Sequence, residues 1–191
     1  IRERALLGER DSRFEVALNN MGRGLSMFDA QARLIVCNKL YREIYQLPDE
    51  YFLRLRRQAE DAGIRIHSIF TAHRELGGFF VDEPGWETVA RRNYQRLIEV
   101  GSLVGARSVG SNPGAVYRDR MGTKKAGVEC YLRHFRELMG YAYQSGVEWL
   151  TIEPMSCLAE PPTLPDEIRL MADELAAYHH QHPESTARAG F

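Results

Sequence analysis

The sequence predicts an α/β fold for residues 51–191, in which three parallel strands alternate with helices. Short apolar segments at 64–70, 106–110 and 147–152 have the composition of strands. They recur about every 42 residues, each followed by a helix, which is the pattern of parallel strands joined by right-handed crossovers. An open, doubly wound sheet gives the same alternation, but the glycine fingerprint of dinucleotide-binding folds is absent.

Apolar residues at helical spacing predict four helices in this part of the chain, around 52–62, 86–98, 131–142 and 168–175. Pro165 and the acidic residues beside it are typical of a first helical turn. Glycine or proline marks where each helix is expected to end: Gly63, the segment from Gly101 to Gly105, Gly146, and Pro183.

The N-terminal segment, residues 1–50, has a different pattern. Residues 1–22 are charged and carry an approximate helical stripe. Two short apolar runs at 24–29 and 33–38 surround a polar turn and predict a β-hairpin. Asn38 can cap a following helix, which Leu47 and Pro48 end. We therefore expect two domains, divided near residue 50.

Bulk properties exclude several classes of protein. The chain has 191 residues, of which 44% are hydrophobic and 27% charged, as in a soluble globular protein. The net charge of -1 argues against nucleic acid as the main partner, and no apolar run is long enough to span a bilayer. Three cysteines without metal-type spacing indicate reduced thiols in a cytoplasm. We expect both ends of the sequence to be cut ends of a longer chain.

Candidate site residues follow from the expected topology, because ligands of parallel β/α folds gather beyond the carboxyl ends of the strands. Glu153 is the strongest candidate for a site residue, since it directly follows the apolar strand at 147–152. A carboxylate at such a position needs a hydrogen bond, an ionic partner or a metal. A capping or salt-bridging role is the simpler alternative.

His73 and Asn112 follow the other two predicted strands. His73 is either a substrate contact or a loop imidazole bonded to backbone. Asn112 lies in a Ser-Asn-Pro-Gly sequence and contributes either to a turn or to the site. Cys130 and Cys157 have no evident base partner in the sequence and are expected to be inert.

Residues of the N-terminal segment resemble the opening of a PAS sensor domain. The stretches 13–25 and 27–29, together with Cys37-Asn38-Lys39-Leu40-Tyr41, carry the resemblance. It covers about residues 10–48, under half of such a domain. The resemblance implies a PAS-like hairpin followed by a helix.

From about residue 52 onward, the chain resembles the xylose isomerase-like TIM-barrel family of sugar and sugar-phosphate isomerases and epimerases. Residues 63–71, 110–114 and 150–156 carry the resemblance, together with their spacing. The resemblance implies a partial (β/α) barrel that acts on a small-molecule sugar or sugar phosphate. It also implies that Glu153 binds a divalent metal, Mn²⁺ or Mg²⁺, and acts as a catalytic base. By the same resemblance, the residues expected to contact the substrate are Glu160, His73 and Asn112.

The implied chemistry is proton transfer next to a carbonyl that a metal polarises. In the family, the remaining metal ligands and the partner carboxylate lie on later strands, which this sequence does not reach. One carboxylate supplies too few ligands for a hard divalent cation. We therefore expect no isomerase activity from this chain alone. A three-stranded sheet also leaves exposed edges that favour association, so a homo-oligomer is a further expectation.

Three functional hypotheses remain open at this point. The first is a sugar isomerase/epimerase domain that is truncated or completed by another chain. The second is a sensory or dimerising module formed by the PAS-like segment. The third is an inactive fusion of two incomplete domains.

Overall fold

A computed structural model describes residues 16, 26–28, 34–37, 47–71, 78–81, 83 and 85–191. The chain divides into two compact units, residues 1–51 and 52–191. Short 3₁₀ helices occur at Gly78–Phe80 and Arg118–Thr123. The strands and α-helices of the described part are, in chain order, β1 (Ser26–Phe28), β2 (Leu34–Cys37), α1 (Asp49–Asp61), β3 (Ser68–Thr71), α2 (Trp86–Val104), β4 (Ser108–Ser111), α3 (Lys124–Gln144), β5 (Trp149–Ile152), α4 (Pro165–Gln181) and β6 (Arg188–Gly190).

The described residues of the first unit form the hairpin that the sequence predicts. Strands β1 and β2 pair antiparallel, with Ser26 opposite Cys37 and an irregularity in register after Met27. The predicted helix of residues 1–22 lies outside the described residues except for Val16, which is helical. The helix predicted after Asn38 also lies outside them.

The second unit contains a four-stranded parallel sheet in the order β3-β4-β5-β6. Each strand pairs with its successor in the chain, so each connection passes through at least one helix. The α/β prediction and the parallel strands are thus confirmed. The sheet has one strand more than the three predicted, because β6 is only three residues long and its sequence, Arg-Ala-Gly, lacks the apolar run of a buried strand.

One face of this sheet packs against the helices. Val109, Leu150 and Ile152 point to that side and are each at most 2% exposed. The alternate residues point to the opposite face, where Phe70 is 50% exposed and Trp149 is 37% exposed. The guanidinium of Arg188 lies over the Trp149 ring, 5.4 Å from its centroid. The sheet therefore buries one face against the helices, while large side chains of the other face are partly exposed.

An aromatic cluster fills the space between α2, α3 and the 3₁₀ helix at Gly78–Phe80. The ring of Phe79 lies 5.8 Å from that of Tyr94 and 5.9 Å from that of Tyr131. Tyr131 stacks on Phe135 with the ring centroids 4.9 Å apart. Rings at these separations add to the stabilisation that burial of their area gives. No helix of the described part is both long enough and apolar enough to cross a membrane.

Glu167 holds the start of α4 in place. One of its carboxylate oxygens accepts hydrogen bonds from the backbone N–H groups of Thr163, at 2.9 Å, and Leu164, at 3.2 Å. The other oxygen pairs with the ammonium of Lys124. Burial raises the pKa of Glu167, but Lys124 and the two N–H donors outweigh that effect, so the pKa is lowered overall.

We expect Glu167→Gln to lower the free energy of unfolding by about 1–3 kcal/mol at neutral pH, because charged hydrogen bonds are lost. Since the folded pKa is lowered, this contribution is complete above the unfolded pKa of about 4.3 and disappears as the pH falls through the folded pKa. Urea unfolding of both proteins at several pH values measures the difference. Asp173→Asn, an exposed position on the same helix, is the control, and a Glu167 effect that persists at low pH would contradict the assignment.

Candidate functional site at the strand ends

The carboxyl ends of β3, β4 and β5 lie side by side. Thr71 is opposite Ser111, and Ser111 is opposite Ile152. The residues that follow β4 and β5, Asn112 and Glu153, are therefore neighbours at the same edge of the sheet. This edge is where the parallel topology predicts the site.

The Asn112 and Glu153 side chains are hydrogen-bonded to each other. Asn112 Nδ2 donates to Glu153 Oε2 at 2.8 Å and also lies 2.9 Å from Met155 Sδ. Glu153 is exposed and follows β5 in an irregular segment, not in a helix. Its second oxygen, Oε1, makes no hydrogen bond to any residue that the structure describes. Within the described part of the chain, the carboxylate is thus oriented by an amide through one oxygen and has the other oxygen unpaired.

Asn112 is itself held firmly. It is only 4% exposed, and its backbone carbonyl accepts hydrogen bonds from Tyr94 Oη and Ser111 Oγ, both at 3.0 Å. Burial raises the pKa of Tyr94, so the phenol keeps its proton and remains a donor. Asn112 Oδ1 is buried and has no partner among the described residues. An unpaired buried amide oxygen costs free energy unless an ordered water molecule reaches it.

The loops that follow β4 and β5 are tied to each other. The backbone N–H of Glu153 donates to Ser111 O at 3.3 Å, which extends the strand pairing by one residue. Val116 N donates to Ala159 O at 2.9 Å, and within the loop after β5 Met155 N donates to Pro162 O, also at 2.9 Å. Backbone hydrogen bonds, and not packing alone, therefore fix the loops on which Asn112 and Glu153 lie.

The structure brings together two of the four predicted site residues. Glu153 and Asn112 are in contact, although their roles remain predictions. Glu160 lies in the loop after β5, partly buried, with its backbone N–H donated to Cys157 O at 2.8 Å and its backbone carbonyl accepting from Thr163 Oγ1 at 2.9 Å. His73 lies outside the described residues.

A second group of polar side chains lies between α2 and α3. Glu87, Cys130 and His134 place their ligand-type atoms within 4.8 Å of one another. Among the described residues this is the only such group of three. The sequence pattern does not reveal this group, because Glu87 is more than forty positions from the other two residues. The spacing of Cys130 and His134, four residues apart on one helix face, was the available signal.

Electrostatics within this group are set by close contacts. His134 Nε2 lies 2.6 Å from Glu87 Oε2. This hydrogen bond is the main cause of the lowered pKa of Glu87, with the charge of Arg133 adding to it. Burial, helped by the Glu87 charge, raises the pKa of the Cys130 thiol to about 11. At neutral pH the group therefore holds an ionised carboxylate beside a protonated thiol.

Solved structures of three proteins have folds similar to that of this chain. A protein assigned provisionally as a xylose isomerase, from Rhodospirillum rubrum, aligns with a TM-score of 0.65 and 16% identity, over 77% of this chain and 49% of that one. A D-psicose 3-epimerase solved in the presence of D-fructose aligns with a TM-score of 0.58 and 14% identity, over 78% of this chain and 50% of that one. A D-psicose 3-epimerase with D-tagatose from Clostridium cellulolyticum aligns with a TM-score of 0.53 and 11% identity, over 78% of this chain and 71% of that one.

The N-terminal part of the chain is similar in sequence to one family model. A sequence model of the PAS fold matches residues 18–83, which extends beyond the end near residue 48 that the resemblance predicts. The match reaches β3, which in the structure pairs with β4. No curated protein sequence matches the chain. The chain spans about half the length of the first two solved structures, at 49% and 50%. It therefore contains part of a (β/α) barrel of the kind seen in these sugar isomerase and epimerase structures, together with a PAS-fold match over residues 18–83.

Proposed function

We propose that residues 51–191 are part of a sugar isomerase/epimerase barrel in which Glu153 transfers a proton next to the carbonyl of a sugar or sugar phosphate. The observation that carries this proposal is the exposed Glu153 carboxylate at the sheet edge, bonded at 2.8 Å to a buried amide. The likeness of fold to D-psicose 3-epimerase supports it. Residues 1–50 form a separate, PAS-like segment in this proposal.

The chemistry available to Glu153 follows from its two oxygens. Oε2 accepts the Asn112 hydrogen bond, so Oε1 is the oxygen that takes a proton from a sugar carbon. A base positioned in this way contributes typically 10²–10⁴-fold to a proton-transfer rate.

A divalent metal is the implied partner of this reaction, since it would stabilise the enediolate. The described residues do not form a complete site for it. Mn²⁺ and Mg²⁺ require several oxygen or nitrogen ligands, and the described residues show no group of three such side chains at the strand ends. Glu153 would contribute one ligand of such a site.

The test measures Mn²⁺ binding to the whole chain with and without D-fructose, by the relaxation rate of solvent protons. We expect weak binding that D-fructose strengthens, and Glu153→Gln is expected to weaken it at least tenfold, which is about 1.4 kcal/mol. Glu137→Gln is the matched control, because Glu137 pairs with Arg91 on the outer helices. Equal Mn²⁺ affinity in the wild type and Glu153→Gln would overturn the proposal. We expect no measurable turnover by this chain alone.

A PAS-type sensory or dimerising module is the second candidate function, and the match to the PAS fold over residues 18–83 favours it. Measurements of sugar binding and of dimerisation, with and without residues 1–48, separate the two candidates. Sugar binding that depends on Glu153 and survives deletion of residues 1–48 supports the barrel function. Dimerisation or small-ligand binding that is lost on this deletion, and is unaffected by Glu153→Gln, supports the sensory function.

A further inference from the structure

The group formed by Glu87, Cys130 and His134 has the chemistry of a transition-metal site. A carboxylate, a thiol and an imidazole are the three ligand types that Zn²⁺ prefers in proteins. Cys130 and His134 lie four residues apart on α3, which places both side chains on the same helix face. Glu87 approaches them from the first turn of α2.

A cationic nitrogen already lies among the three ligand atoms. Arg133 Nη2 is 2.8 Å from Glu87 Oε2, 3.4 Å from His134 Nε2 and 3.5 Å from Cys130 Sγ. These three distances show that the ligand atoms converge on one point. The point suits a positive charge, because an ionised carboxylate faces it.

We propose that this group binds Zn²⁺ or a similar borderline-soft divalent cation through Glu87, Cys130 and His134, with the metal replacing the Arg133 guanidinium. Three protein ligands leave a fourth position for water. The site is separate from Glu153 and does not depend on the function proposed for it. It links α2 to α3, outside the sheet.

Access and rigidity both suit such a site. The Arg133 side chain is 61% exposed, so it can move into solvent when a metal enters, and the Glu87 side chain is 46% exposed. His134 is fixed, since its side chain is only 11% exposed and its ring stacks on Phe79 with the centroids 4.7 Å apart. A ligand held by packing loses little freedom when it binds a metal.

Binding requires two of the ligand atoms to lose a proton. Burial of the Cys130 thiol keeps it protonated at neutral pH, and a metal binds the thiolate. The balanced step is the transfer of the thiol proton to solvent as the sulfur–metal bond forms. Because an ionised carboxylate only accepts, the hydrogen of the 2.6 Å Glu87–His134 contact lies on Nε2, so Nε2 also has to give up this proton, leaving the ring proton on Nδ1, as the nitrogen–metal bond forms.

Titration of the whole chain with Co²⁺ tests the proposal, because a cobalt–thiolate bond produces a charge-transfer absorption band. We expect the band in the wild type, its loss in Cys130→Ser, and its displacement by Zn²⁺. Cys157→Ser is the matched control, since Cys157 is also a free cysteine of the described part. Arg133→Gln is expected to tighten Co²⁺ binding several-fold by removing the competing cation, whereas Arg136→Gln, which loses a contact to Glu174 on α4, is expected to leave it unchanged.

Two outcomes overturn the proposal. One is the absence of the band in both the wild type and Arg133→Gln. The other is a band that survives Cys130→Ser. Either result would leave the group as an ion-pair network between α2 and α3. Glu153→Gln is expected to leave the Co²⁺ band unchanged, so failure of the function proposed above and failure of this proposal are distinguishable.

Discussion

Replacing Phe135 by alanine is expected to lower the free energy of unfolding of the second unit by about 3–5 kcal/mol, because the deletion leaves a cavity in a closely packed core. Phe135 is 1% exposed. Its ring stacks on Tyr131 at 4.9 Å and meets Tyr94 edge-on at 6.0 Å. Both neighbours are themselves buried, so they cannot move far enough to fill the space. Urea unfolding followed by circular dichroism measures the loss.

Tyr143→Ala provides the control for this prediction. Tyr143 is an aromatic residue on the same helix, α3, but is 47% exposed. Its replacement is expected to cost less than about 1 kcal/mol, as is usual for surface positions. Equal losses at the two positions would show that the aromatic cluster is loosely packed.

Gly101→Leu is expected to lower the free energy of unfolding by about 1–3 kcal/mol, because extra methylene groups in a packed core force the backbone apart. Gly101 lies on α2 where the helix meets the sheet. A Cβ atom there would lie 2.4 Å from Val109 Cγ2 and 3.5 Å from Ile69 Cδ1. Val109 is 2% exposed and cannot move away without disturbing β4. Thermal unfolding of the variant measures the change.

The matched control is Gly140→Leu, on α3. A Cβ atom at Gly140 would find its nearest neighbour, Ser185 O, at 3.8 Å, which is an ordinary contact. Leucine is a better helix former than glycine by up to about 1 kcal/mol. This variant is therefore expected to be as stable as the wild type or slightly more stable. A loss at Gly140 as large as that at Gly101 would attribute both effects to helix propensity, not to packing against the sheet.

Much of the fold could be predicted because the segment from 51 onward repeats a simple pattern. Apolar strand residues such as Val109 and Leu150, alternating with helical stripes, are sufficient to predict parallel strands. Strand β6 could not be predicted, since Arg188, Ala189 and Gly190 carry no strand signal. Their pairing with β5 comes from tertiary position, which overrides a weak local preference.

The candidate site was predictable only in part. The rule that ligands gather beyond strand ends selects Glu153 and Asn112 individually, but the hydrogen bond between them depends on the register of β4 with β5. The group around His134 depends on how α2 packs against α3. Helix-to-helix register of this kind is set by side-chain packing, and one sequence alone does not reveal it.

The strand register also has a consequence for how the second unit assembles. Ser68 pairs with Ser108, Ser108 with Trp149, and Trp149 with Arg188, so each pairing joins segments about forty residues apart. No local hairpin can start this sheet, and each loop has to close before its strands gain any hydrogen bonds. Folding is therefore expected to await docking of the intervening helices, which makes it slower than that of a helical protein of the same length.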